Sequence, residues 1–198
     1  QIAKEVGFDI PNTFISSNPS KLIEYTEKYQ CITKPIGEAM AISEGDSFIN
    51  LQTAHIDLNK IKNLSEPIFP SLLQEKIEKW IEIRVFVLYD EVHSMAIFSQ
   101  NNRQTATDYR NYDFSKMSRM IPYRLPLDVN EKVLKFMERC DLDTGSIDMI
   151  LTQDNRFVFL EVNPAGNIEM VGDNCNYWLE KRIAEYIIQT ISSCQIQN

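Results

Sequence analysis

The stretch from Asp148 to Pro164, DMILTQDNRFVFLEVNP, decides how this sequence is read. Its apolar residues fall into two short runs, Ser146–Leu151 and Arg156–Val162, separated by the polar segment Thr152–Asn155. That arrangement predicts two antiparallel strands joined by a tight turn. An aspartate, Asp148, stands on the first strand, and an acid and an amide, Glu161 and Asn163, stand two residues apart on the second. Side chains alternate between faces along a strand, so Glu161 and Asn163 share one face. Pairing about the turn would bring Asp148 close to Glu161. Two carboxylates and an amide oxygen are hard ligands, suited to Mg²⁺ that holds nucleotide phosphates. The run Phe157–Leu160 carries Glu161 into an apolar setting, where an acid needs a cation or hydrogen-bond donors. The competing reading is a solvated strand aspartate followed by a plain Asn163-Pro164 turn.

Outward from this hairpin the chain alternates strand and helix signals without regular βαβ spacing, which predicts an α+β fold. Residues 1–6 read as a helix end stopped by Gly7, and Ile10–Ile15 as a strand. Asn18 is placed to cap a helix with Pro19 at its first position, running towards Tyr29. Cys31 to Lys34 is a strand ended by Pro35, and Glu38 to Asn50 reads as a hairpin around Glu44-Gly45-Asp46. Asp57–Asn63 predicts a short helix, Leu72–Ile77 a strand, and Ile81–Leu88 and Val92–Gln100 a hairpin turned at Asp90-Glu91. The polar stretch 101–119 reads as an insertion of loops. A helix is expected from a cap at Leu127-Asp128 to about Cys140, with Val129, Val133, Leu134, Phe136 and Met137 at helical spacing. A last helix is expected from Asn174 as its cap to about Ile191, with Gly166 and Gly172 flanking the loop before it.

Composition narrows the function classes. The chain of 198 residues is 43% hydrophobic, enough to bury a core. With 20 Lys+Arg against 28 Asp+Glu, its net charge of -8 disfavours non-specific binding to nucleic acid or anionic membranes. No apolar run approaches the ~20 residues of a membrane span. Cys31, Cys140, Cys175 and Cys194 form no CxxC pair or zinc-like spacing, and point to a reducing, cytoplasmic setting. The chain opens mid-helix with Gln1 and without Met, and is expected to be one part of a longer protein.

The motif FLEVNPAGN, with an aspartate on the preceding strand, resembles the magnesium motif of ATP-grasp ligases. By that resemblance the chain is an ATP-grasp core, two α+β lobes gripping ATP, with roughly 12–75 as the N-lobe, 76–198 as the C-lobe and an upstream domain missing. Asp148, Glu161 and Asn163 would coordinate Mg²⁺ bridging the ATP phosphates. A second match is Gln74-Glu75-Lys76-Ile77-Glu78, with Glu82 seven residues after Glu75 and then Arg84. It implies that Gln74 and Glu75 belong to the adenine hinge, with Glu75 facing the adenine amino group. The backbone from Lys76 through Ile77 to Glu78 would read the adenine edge, and Glu82 would accept the ribose hydroxyls. Lys34-Pro35 at a strand end matches the family's phosphate lysine, and the three motifs are collinear over most of the chain.

FLEVNPAGNIEMV, NCNYWLEKRIAEYI and IEIRVFVLYD are most similar to ATP-grasp maturases of graspetides, of the grasp-with-spasm type. The resemblance implies activation of Asp or Glu side chains of a precursor peptide, carrying a leader segment, as acyl phosphates. Attack by a Ser/Thr hydroxyl or a Lys amine would then give an ester or amide ring. Asp108-Tyr109-Arg110 resembles the family's peptide-contacting insertion, and Arg84, Arg110 and Arg119 would stabilise the anionic acyl phosphate. A ligase of small molecules on the same fold, and a silent leader-binding module, stay open at this point. So does a homodimer.

Overall fold

The computed structural model describes residues 1–198 except 38–40, 45–46, 51–52, 64–67, 112 and 197–198; for 41–44, 47–50, 60 and 193–196 it describes the backbone alone. In chain order the elements begin with α1 (Ile2–Glu5), β1 (Thr13–Ser16), α2 (Pro19–Lys28) and β2 (Cys31–Thr33). There follow β3 (Ala41–Glu44), β4 (Ser47–Asn50), β5 (Ala54–His55), α3 (Leu58–Lys62) and β6 (Ser71–Glu75). The next strands are β7 (Lys79–Leu88), β8 (Glu91–Phe98) and β9 (Arg119–Tyr123). The chain closes with α4 (Leu127–Arg139), β10 (Thr144–Thr152), β11 (Phe157–Asn163), α5 (Ile168–Cys175) and α6 (Leu179–Ile196).

Two compact units divide these elements. One comprises 1–10, 79–98 and 119–198, the other 11–78 and 99–118. The contiguous lobes expected from sequence did not anticipate this interleaving. Residues 1–10 join the first unit because Asp9 forms a parallel bridge with Val158 and accepts the Phe159 amide proton at 2.8 Å. The loop 99–118 joins the second unit, where Thr53 donates to Asp108 across 2.9 Å.

The first unit is built on an antiparallel sheet of order β11-β10-β7-β8-β9. One face is its core side. Ile81, Ile83, Val85, Val87, Ala96, Ile147, Met149, Leu151 and Phe159 pack there against Ala3 and Val6 of the N-terminal segment and Val129, Val133, Phe136 and Met137 of α4. The α4 residues recur at helical spacing, as expected. Each such side chain stabilises by about 1.5–3 kcal/mol when fully buried. The helix itself begins directly after Pro126 with no side-chain cap, so the expected cap at Leu127-Asp128 is not made.

The second unit holds an antiparallel sheet of order β1-β6-β2-β5 and the paired strands β3 and β4, and Gly45-Asp46, where the hairpin turn was expected, lie outside the described residues. Leu22 of α2, Ile61 of α3 and Leu73 of β6 form its core. Asn18 caps α2 as expected, its side chain accepting the Lys21 amide proton at 3.0 Å.

The C-terminal region corrects the sequence reading. Two helices stand where one was expected. Asn167, not Asn174, is the cap, accepting from the Met170 amide at 3.2 Å and starting α5. Asn174 lies inside α5 and donates its side-chain amide to the Met170 carbonyl at 2.7 Å. The break falls at Asn176 and Trp178, both with φ of 54°, where Asn176 closes α5 in the left-handed conformation. Gly172, expected to flank a loop, is a buried helical residue.

Candidate active site

Candidate site residues occur on both units, and each group is built by its own sheet. On the first unit the face opposite the core carries the acids. Asp148 on β10 has Glu161 of β11 as its Cα partner on one side and Arg84 of β7 on the other. Directly opposed residues of paired strands project to the same face, so the three form one row across three strands. Ser146 is opposed to Asn163 and forms the next row.

This arrangement depends on a β-bulge. Met149 pairs with Phe159 but Asp148 pairs with Glu161, so Leu160 is an extra residue on β11. Strict alternation would place Phe157, Phe159 and Glu161 on one face. The slip of one residue leaves the two phenylalanines at the core and moves Glu161 and Asn163 to the other side.

Arg84 and Asp148 are both buried, with side chains 8% and 12% exposed. A single guanidinium nitrogen, Nη1, donates to both carboxylate oxygens, at 2.9 and 2.8 Å. Asn163 is exposed, and its Oδ1 accepts the Ala165 amide proton at 3.0 Å, turning the chain sharply after β11. Gly166 then comes down on β10. A Cβ there would stand 2.1 Å from Ser146 Oγ and 2.9 Å from the Ser146 nitrogen, so only glycine fits this approach. The Ser146 hydroxyl beneath it is buried and has no hydrogen-bond partner among the described residues.

A second bulge lies one strand over. Leu151 pairs with Ile81 but Thr152 pairs with Lys79, which makes Trp80 the extra residue. Lys79 and Glu82 therefore share the acidic face, and Lys79 Nζ meets Glu82 Oε1 at 2.6 Å with both side chains buried. Sequence reasoning missed Lys79. Its only local signal was a lysine three residues before an acid, which alternation assigns to the opposite face.

The remaining arginines are not in this row. Arg119, opposed to Phe98, lies over the Phe98 ring at 5.7 Å, and Phe98 packs against the core. Its strand register gives it the other face from Asp148. Arg110 belongs to the second unit, where its guanidinium grips Asp108 through Nε and Nη2, both at 2.9 Å. Burial raises the pKa of Asp108, but the Arg110 hydrogen bonds outweigh it and hold the carboxyl below its ordinary range.

On the second unit the expected hinge residues lie at the end of β6 and directly after it. Gln74 is buried and donates to Thr13 Oγ1 at 2.9 Å, while Glu75 accepts from the Asn12 side chain at 2.7 Å. Glu75 shares the side of Leu73, the face covered by α2 and α3, so its carboxylate is committed to Asn12. The Lys76 amide donates to the Gln30 carbonyl at 2.7 Å. Lys76, Ile77 and Glu78 lie in neither flanking strand. Lys34 follows β2 directly and is half-buried.

A family model for the RimK-like ATP-grasp domain matches residues 1–187. The chain belongs to that family. This ATP-grasp domain is also similar in structure to a RiPP-associated ATP-grasp ligase of Chryseobacterium gregarium in complex with ADP and a leader and core peptide. The TM-score is 0.77 at 29% identity, over 84% of this chain and 50% of that one. The macrocyclase MdnC of Microcystis aeruginosa MRC, bound with precursor peptide MdnA, matches with TM-score 0.77 at 26% identity, over 96% of this chain and 57% of that one. The ATP-grasp ligase PsnB, complexed with a precursor variant, Mg and ADP, shares the fold with TM-score 0.67 at 17% identity, over 88% of this chain and 51% of that one. The domain thus spans about half the length of these relatives. No curated protein matches it. Among the described residues no helix is long and apolar enough to cross a membrane.

The donor set of the ATP-grasp domain fits Mg²⁺. Its ligands would be the carboxylates of Asp148 and Glu161 and the amide oxygen of Asn163, all hard oxygens on one sheet face. Both Asp148 oxygens accept from Arg84 Nη1 in this structure, so Mg²⁺ would share that carboxylate with the guanidinium.

Proposed function

We propose that the domain is the ATP- and magnesium-using part of a cytoplasmic ligase that cross-links a ribosomally made precursor peptide through an ester or amide bond. The row Arg84–Asp148–Glu161, with Asn163 beside it, is the observation that carries this reading. The two relatives above 25% identity support a peptide substrate, since each is described with a precursor, or leader and core, peptide bound.

In the reaction a carboxylate oxygen of the peptide attacks the γ-phosphorus of ATP, and ADP departs. A hydroxyl or amine of the same peptide then attacks the acyl carbon. Phosphate leaves with the bonding electrons, and the nucleophile gives up its proton. Phosphoryl transfer of this kind asks the protein for positioning and charge more than for covalent help. Asp148, Glu161 and Asn163 would hold Mg²⁺, which would supply neutralising charge to the phosphates.

The chain's own residues do the rest. Arg84, anchored on Asp148, carries a fixed positive charge at the acidic face for the acyl phosphate. Lys34 offers charge to the α- and β-phosphates. Ile77 and Glu78 read the adenine edge, and Glu82 accepts the ribose hydroxyls. The turn Pro164–Gly166, pinned by Gly166 on Ser146, borders a cavity of about 510 Å³ lined by Phe86, Leu88, Ile168, Ile183 and the stacked pair Tyr89 and Tyr186. Its size and apolar walls suit a side chain of the peptide.

Calorimetric titration of Mg-ATP into the full-length protein tests the proposal, with Glu161→Gln and Asn163→Ala alongside. Saturable binding weakened by both variants is expected. Absence of binding by the unmutated protein would overturn the ligase reading. Turnover of free amino acids in preference to a leader-bearing peptide would redirect it to small molecules.

A further inference from the structure

We infer that Lys79 is a positioning residue for the nucleotide. It holds the Glu82 carboxylate in place for the ribose hydroxyls, and so sets a preference for ribonucleotides over 2′-deoxyribonucleotides. This rests on the reading of Glu82 as the ribose acceptor.

The observation is the bulge at Trp80. Alternation from Ile81 would send Lys79 to the core side with Ile81 and Ile83. The extra residue returns it to the face of Glu82 instead, three residues away on a strand, where side chains at that spacing do not ordinarily meet. Bulges re-aim side chains in this way, and an inserted residue that disrupts the ladder between β7 and β10 needs a compensating contact. The contact made is an ion pair of 2.6 Å with side chains 7% and 10% exposed. It is far better shielded than the exposed Lys76–Glu78 pair, whose side chains are 33% and 77% exposed.

The chemistry gives the pair a purpose beyond packing. A carboxylate offers acceptors to both hydroxyls of a vicinal diol. By engaging Oε1 the Lys79 ammonium fixes the rotation of the Glu82 carboxylate, so the group need not reorganise when a vicinal diol arrives. Lys79 thus acts through Glu82 and need not touch the nucleotide.

The test is calorimetric affinity for Mg-ATP and for Mg-2′-deoxyATP in the full-length protein and in Lys79→Met, Lys79→Arg, Glu82→Gln and the double variant Lys79→Met/Glu82→Gln. The unmutated protein should prefer ATP by about tenfold or more, the worth of one hydrogen bond to a charged group. Lys79→Met should reduce that preference to about twofold by weakening ATP while leaving 2′-deoxyATP nearly unchanged, and Lys79→Arg should retain part of it. The double variant carries no unpaired buried charge, so it stays folded even where Lys79→Met does not. It should match Glu82→Gln. Equal weakening of both nucleotides in Lys79→Met, or a full preference in it, would overturn the role of Lys79. A full preference in Glu82→Gln, or none in the unmutated protein, would instead overturn the ribose reading itself.

Discussion

Replacing Arg84 by Met is the most informative perturbation of the acidic face. Arg84 and Asp148 are 8% and 12% exposed at their side chains, and both oxygens of Asp148 are bound to one nitrogen. Breaking such a pair by removing one partner costs about 3–5 kcal/mol, because the remaining charge stays buried. The residual exposure of both groups favours the lower end, about 3 kcal/mol, which corresponds to a fall in Tm of about 6–12 °C for a chain of 198 residues. Glu161 stands directly opposite Asp148 on the paired strand, so removal of the cation also leaves like charges at opposed positions, which is destabilising. Two compensations should follow. Arg84→Met/Asp148→Asn should recover about 1.5 kcal/mol or more of the loss, since the two residues act as one interaction. Added Mg²⁺ or Mn²⁺ should raise the stability of Arg84→Met more than that of the unmutated protein. The assay is urea unfolding of the full-length protein followed by circular dichroism, with and without the divalent ion. The reasoning fails if Arg84→Met costs under about 1 kcal/mol, or if the double variant is destabilised by the sum of its singles.

Further expectations concern the frame around the site. Gly166→Ala sets a methyl group against Ser146 Oγ and backbone nitrogen, so the turn must lift from β10; a loss of about 1–3 kcal/mol is expected by thermal unfolding, and Ser146→Ala should not rescue it because the Ser146 Cβ is also only 2.4 Å away. The Asp113 carboxylate accepts from the Ser115 hydroxyl, the Asn102 side chain and the Ser115 amide, which hold its pKa at about 2, below the ordinary 3.8. A depressed carboxylate contributes stability that is present above its unfolded pKa and lost as pH falls through the folded one. The stability gap between the unmutated protein and Asp113→Asn should therefore be level above about pH 4 and close towards pH 2. Burial pushes the Cys175 thiol up to about 11, so alkylation by iodoacetamide at pH 8 should label it only in denaturant.

Much of this was legible in the sequence because its physics is local. The four-residue turn Thr152–Asn155 between two apolar runs sufficed to pair β10 with β11, and Asp148 does oppose Glu161. The amphipathic period of α4 and the Asn18-Pro19 start of α2 were equally local. So was the order of motifs that marks the ATP-grasp family. The C-terminal helices were misread because Asn167 and Asn174 carry the same capping chemistry. The choice between them is made by Gly166, whose close approach to Ser146 turns the chain before Asn167.

The sequence alone determined most of the strands, β5 and β9 excepted, and that acids stand near an apolar hairpin. It could not determine where the alternation slips. Phe157, Phe159 and Glu161 share a period-2 pattern, yet only the phenylalanines face the core, because a carboxylate buried against α4 would lack a partner and one extra residue at Leu160 removes that conflict. The slip at Trp80 likewise brings Lys79 to Glu82, and the register of three strands puts Arg84 on Asp148. Each is fixed by contacts between segments distant in the chain, where burial and charge pairing are satisfied together. Local propensity records neither, so the charge pairs of the site were decided only by the tertiary structure.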